Sequence, residues 1–84
     1  MSPSHDIVRA AVAATSGAPR PGIAFIYPIH RRPEHDGWTA GLQLPTGIPA
    51  PDPVALAAAL GRPTSAVRAE AVGACLFLTI FDAA

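Results

Sequence analysis

The seven residues His30-Arg31-Arg32-Pro33-Glu34-His35-Asp36 set two imidazoles, two guanidinium groups and two carboxylates side by side in a chain that is 50% hydrophobic. Metal binding is the first chemistry such a group suggests. A catalytic zinc takes three protein ligands and keeps one position open, a demand that His30, His35 and either Glu34 or Asp36 could meet. The His-x4-His spacing carries little specificity. Pro33 stands between the two rings and breaks any helix that would bring them to one face. The remaining ligand types, His5 and Cys75, lie far off in sequence, and a lone cysteine in an apolar segment reads as a small core residue. Ser4-His5-Asp6 holds the residue types of a hydrolase triad. Successive residues cannot adopt triad geometry, and their acceptors suit a helix start. The chain carries no phosphate loop, dinucleotide fingerprint, nucleophile elbow or Cys/His zinc pattern. The expectation is a non-enzymatic protein with no catalytic residue, no bound metal and no cofactor.

HRRPEHD then reads as the polar connection of a hairpin, available for contacts. Tyr27 and Trp38 flank it. Aromatic residues beside arginines are the types that anchor protein interfaces. The expected partner-binding set is therefore Tyr27, His30, Arg31, Arg32, Glu34, Asp36 and Trp38.

Periodicity supplies the elements around this loop. SHDIVRAAVAAT, residues 4–15, predicts a helix capped by Ser4 or Asp6, with Ile7, Ala10, Ala11 and Ala14 on one side. Ile23 to His30 predicts a strand. Ile23, Phe25, Tyr27 and Ile29 fall on one face, and Ala24, Ile26, Pro28 and His30 on the other. Pro28 has no N–H to donate, which points to an edge strand or a bulge. Trp38 to Leu44 completes the hairpin. Asp52-Pro53-Val54-Ala55-Leu56-Ala57-Ala58-Ala59-Leu60-Gly61 is the clearest helix: an Asp cap, Pro at the first helical position and a closing Gly, packed through Val54, Leu56 and Leu60. Thr64 to about residue 72 predicts a further helix by propensity, with a continuation of the last strand as the alternative. Gly73 breaks it, and residues 74–81 predict a strand. That strand is apolar on both faces, so it belongs in the middle of the sheet or under a partner. The expected fold is one small α+β domain over residues 1–84: an N-terminal helix, a β-hairpin, one or two short helices and a C-terminal strand, forming a three-stranded antiparallel sheet packed on helices.

Composition narrows the function classes. Formal net charge is +0, against the basic excess of most nucleic-acid binders. All basic residues are Arg, and Lys and Asn are absent, as in GC-rich bacterial coding sequences. One cysteine permits no internal disulfide and suits a reducing compartment. The N-terminus lacks the basic region of a signal peptide, and the longest apolar run is too short for a bilayer. A cytoplasmic protein without a membrane role is expected.

Residues 54–70 contain small Ala57, turn residue Gly61 and anchoring Val67, and in this pattern the segment resembles a helix-turn-helix. The resemblance covers about a quarter of the chain. It implies DNA binding, with Thr64, Ser65 and Arg68 on a recognition helix and Arg62 near phosphate. The zero net charge and the strands on either side weigh against it. The leading expectation is a bacterial, phage or mobile-element protein that binds another protein or complex. It would act as an adaptor or inhibitor, for example of a host defence complex such as CRISPR. Sparse charge and surplus apolar surface also suggest a homodimer. The alternative is a DNA-binding regulator using residues 53–72.

Overall fold

Ser4 opens the first helix: its Oγ accepts the Ile7 amide at 3.0 Å and caps α1, His5–Ser16. The computed structural model describes residues 3–81, apart from the side chain of His35. Four strands follow α1 in the order β1 Ala24–Arg32, β2 Gly37–Gln43, β3 Val67–Val72 and β4 Cys75–Phe81, with α2, Pro53–Ala59, between β2 and β3. Single 3₁₀ turns precede β1, β2 and β3. The sheet is fully antiparallel, with strand order β1-β2-β4-β3. The expected α+β layer is therefore present, with four strands where three were expected.

The added strand is β3. Residues 64–72 were expected to be helical, but only Thr64–Ala66 turn, as a 3₁₀ segment, before β3 begins. Val67, Ala69 and Ala71 alternate with Arg68, Glu70 and Val72, a period of two that lets one side of the strand join the core. Gly73 has φ +61°, and it is the only central residue of the two-residue β3–β4 turn with positive φ, the pattern of a type II′ hairpin. β4 lies between β2 and β3, as its apolar character on both faces requires.

One face of the sheet carries the core. Ala40, Leu42, Leu76, Leu78, Ile80 and Val67 meet Val8, Ala11 and Val12 of α1 and Leu56 and Ala57 of α2. The buried stripe of α1 runs through 8, 11 and 12, one step away from the expected stripe: Ile7 is 57% exposed. In an alanine-rich helix the branched valines decide which face is buried, because alanine adds little apolar area to either side. In α2, Asp52 accepts the Ala55 amide and Pro53 is the first helical residue, as expected. Leu56 and Ala57 are buried and Leu60 packs against the core, whereas Val54 is 57% exposed. The helix closes with Arg62 N–H on Ala57 O and Gly61 N–H on Ala58 O, a Schellman arrangement.

A groove on the open face of the sheet

Both helices cover the same face, so among the described residues the opposite face of the sheet is open. What it carries is set by irregularities in β1. Phe25 pairs with Leu42, Tyr27 with Gly41 and His30 with Thr39, so β1 holds one extra residue in each interval. These two bulges change which way the chain faces. Phe25 and Ile29 pack against the core, and Tyr27 between them is turned to the open face. This corrects the expectation that Tyr27 shares a face with Phe25 and Ile29. Pro28 lies in the second bulge, on an edge strand, where its missing N–H breaks no ladder bond.

Tyr27 is 55% exposed and lies across from Gly41, with Phe77 of β4 on the other side of the same glycine. The two rings stack at a centroid distance of 6.2 Å and an angle of 30°. A Cβ on Gly41 would stand 2.7 Å from Tyr27 Cδ2 and 3.4 Å from Phe77 Cε1. Glycine here is what lets the rings settle over the backbone of β2. The next row across the sheet is His30, Thr39, Thr79 and Arg68. Together Tyr27, His30, Arg32, Thr39, Gly41, Phe77 and Thr79 line a shallow groove of about 450 Å³.

The polar side of the groove is held by a chain of hydrogen bonds. Arg32 Nε donates to Thr39 Oγ1 at 3.2 Å, and Thr39 Oγ1 lies 3.0 Å from His30 Nε2. His30 Nδ1 is 3.0 Å from Pro28 O, which can only accept. That carbonyl assigns a proton to Nδ1, and in the neutral ring Nε2 then accepts from the Thr39 hydroxyl. Both ring nitrogens of His30 are thus engaged. Arg32 also approaches Glu34 at 3.7 Å. Arg68, on the opposite edge, lies 5.9 Å over the ring of Phe81.

The expected partner-binding residues divide between two faces. Tyr27, His30 and Arg32 are on the open face, with Glu34 beside them at the start of the loop. Arg31 and Trp38 pair directly across the hairpin in the alternate register, on the helix side. Arg31 stacks 5.3 Å over Trp38 and bonds Asp36 at 2.7 Å, so these three form a contact cluster of their own. His30, Arg31 and Arg32 belong to β1 and are not part of the loop, which contracts to residues 33–36. A metal pairing of His30 with His35, weighed against the expectation of no metal, involves a side chain outside the described residues. Among the described residues, no three His, Cys, Asp or Glu side chains converge.

The helix-turn-helix resemblance is corrected at its second element. Arg68 is on β3, Thr64 and Ser65 are exposed on the 3₁₀ turn, and Arg62 donates to Phe81 O at 3.0 Å, tying the end of α2 to the end of β4. No helix occupies the position of a recognition helix. Among the described residues no helix is long and apolar enough to cross a membrane. Phe77, Gly41, Thr39 and Thr79 were not anticipated as site residues. Phe77 was legible as an apolar residue of β4 out of step with Leu76 and Leu78, while Gly41 gave no signal without the register. Comparison with family models, with characterised proteins and with solved structures found no match for this chain.

Proposed function

We propose that the protein is a non-enzymatic binding module that takes another protein on the open face of its sheet, as an adaptor or inhibitor. The observation that supports this reading is the exposed Tyr27–Phe77 stack, framed by His30, Arg32, Thr39 and Thr79. Aromatic residues surrounded by arginine and hydroxyl groups form the anchor-and-rim pattern of protein interfaces. The chemistry favours a partner that inserts apolar side chains between carboxylates. The stack supplies the apolar floor, and Arg32 and Arg68 supply cations at its two sides.

Exposed aromatics on an antiparallel sheet also suit stacking of single-stranded bases. Charge favours protein. Arg32 and Arg68 are offset by Glu34 and Glu70, and the chain has no net charge to follow a phosphate backbone. The test is affinity capture from a nuclease-treated lysate of the source cells, comparing the natural sequence with Tyr27→Ala/Phe77→Ala. A protein retained by the first and lost by the second supports the reading. A partner held equally by both, or capture abolished by nuclease, overturns it.

A further inference from the structure

The two edges of the sheet differ. β1 is closed to strand pairing. Two bulges bend it, Pro28 lacks an N–H, and the Ile29 N–H is already given to His5 Nε2 at 3.0 Å. β3 has one of these protections, and only at its first residue, where the Val67 N–H is given to Thr64 O. It is regular, contains no proline, and is exposed from Glu70 to Val72. Among the described residues, the backbone of residues 68–72 makes no hydrogen bond beyond the β3–β4 ladder. An edge left open over residues 68–72 is a template for another strand.

We propose that two copies of this chain pair antiparallel along β3, centred on Ala69, into one continuous eight-stranded sheet. A two-fold axis perpendicular to the sheet keeps the helices of both copies on one side. Opposed residues must then share a face, so the axis passes through a residue and never between two. Three centres keep most of the strand paired. Centring on Arg68 sets Arg68 against itself, and centring on Glu70 sets Glu70 against itself. Centring on Ala69 sets Arg68 of each copy opposite Glu70 of the other, twice, and Val67 opposite Ala71. Opposite charges directly across a ladder stabilise it and like charges oppose it, so the charge pattern selects the Ala69 register.

The two side chains are placed for this. Both are exposed on the open face, and Arg68 is held there over Phe81. Glu70 has no ion-pair partner among the described residues of its own chain, two residues along the same face from Arg68. Val72, 57% exposed, lies opposite Ala66 of the second copy in this register. The inference uses the edge of the sheet and does not depend on what the open face binds. Its consequence is that two grooves share one surface.

Sedimentation equilibrium across a wide concentration range at low salt tests it. The mass is expected to rise toward twice the 8.6 kDa of one chain. Arg68→Glu and Glu70→Arg each set like charges opposite one another, and each should weaken the dimer by about tenfold or more. The combined Arg68→Glu/Glu70→Arg exchange restores the complementarity and should restore the dimer. Circular dichroism of each variant checks that these exposed substitutions leave the fold intact. A chain that stays monomeric at the highest concentration overturns the proposal. So does a dimer indifferent to the single exchanges, or a folded double exchange that remains monomeric.

Discussion

Tyr27 stands directly across the β1–β2 ladder from Gly41, and the absence of a side chain at 41 is what allows the tyrosine ring to lie against Phe77. The relationship begins with a bulge that turns one residue of β1 away from the core. It ends with an aromatic surface on the uncovered side of the sheet.

Gly41→Ala tests the origin of that surface. A strand alanine gains about 0.5–1 kcal/mol over glycine in backbone entropy. The new Cβ at 2.7 Å from the Tyr27 ring brings overpacking of about 1–3 kcal/mol. The expected result is a net loss of roughly 1 kcal/mol with the Tyr27 ring displaced. Urea unfolding measures the first, and the ring-current shifts of Tyr27 and Phe77 in NMR spectra report the second.

The stack itself predicts a coupling. Removing Tyr27 or Phe77 singly should each weaken the fold modestly, because both rings are partly exposed. Removing both should cost less than the sum, by about 0.5–1.5 kcal/mol, the usual value of an aromatic pair beyond its area. A double-mutant cycle of Tyr27→Ala and Phe77→Ala in urea measures the term. Strict additivity would show that the rings do not interact.

Two apolar residues of α2 should behave very differently. Leu56 is fully buried, and Leu56→Ala is expected to remove about 2–5 kcal/mol. That is a large share of the ~5–15 kcal/mol typical of a domain. Val54→Ala, at a position 57% exposed, should change stability by less than about 0.5 kcal/mol. Thermal unfolding of the two variants separates them.

Gly73 turns β3 into β4 with φ +61°. Gly73→Ala forces an L-residue into that region, at about 1–2 kcal/mol. It should loosen the β3–β4 hairpin before the rest of the sheet. Hydrogen exchange of the Val72 and Cys75 amides should quicken more than that of β2.

Much of this architecture was legible in the sequence. Both helix starts, the hairpin, the edge position implied by Pro28 and the central position of the last strand follow from caps, alternation and breakers. Three features were not. Helix propensity in 64–72 competes with a period-two pattern in Val67–Val72, and the neighbouring strand β4 decides in favour of strand. The stripe of α1 is ambiguous because alanine fits either side. The bulges in β1 leave no local mark beyond Pro28, so the face of Tyr27 could not be read by counting twos. The site followed the same division. Tyr27, His30 and Arg32 were identified by residue type, whereas their separation from Arg31 and Trp38, and their meeting with Phe77, depended on register.

The most direct test of the open-face reading is site-specific photo-crosslinking in source cells, with a photoreactive phenylalanine analogue at Phe77 and, as the control on the helix side, at Val54. The account predicts a discrete protein adduct from position 77 that is absent from position 54 and is suppressed by Gly41→Ala. Adducts from position 54 alone, or adducts at position 77 that consist of nucleic acid, would contradict it.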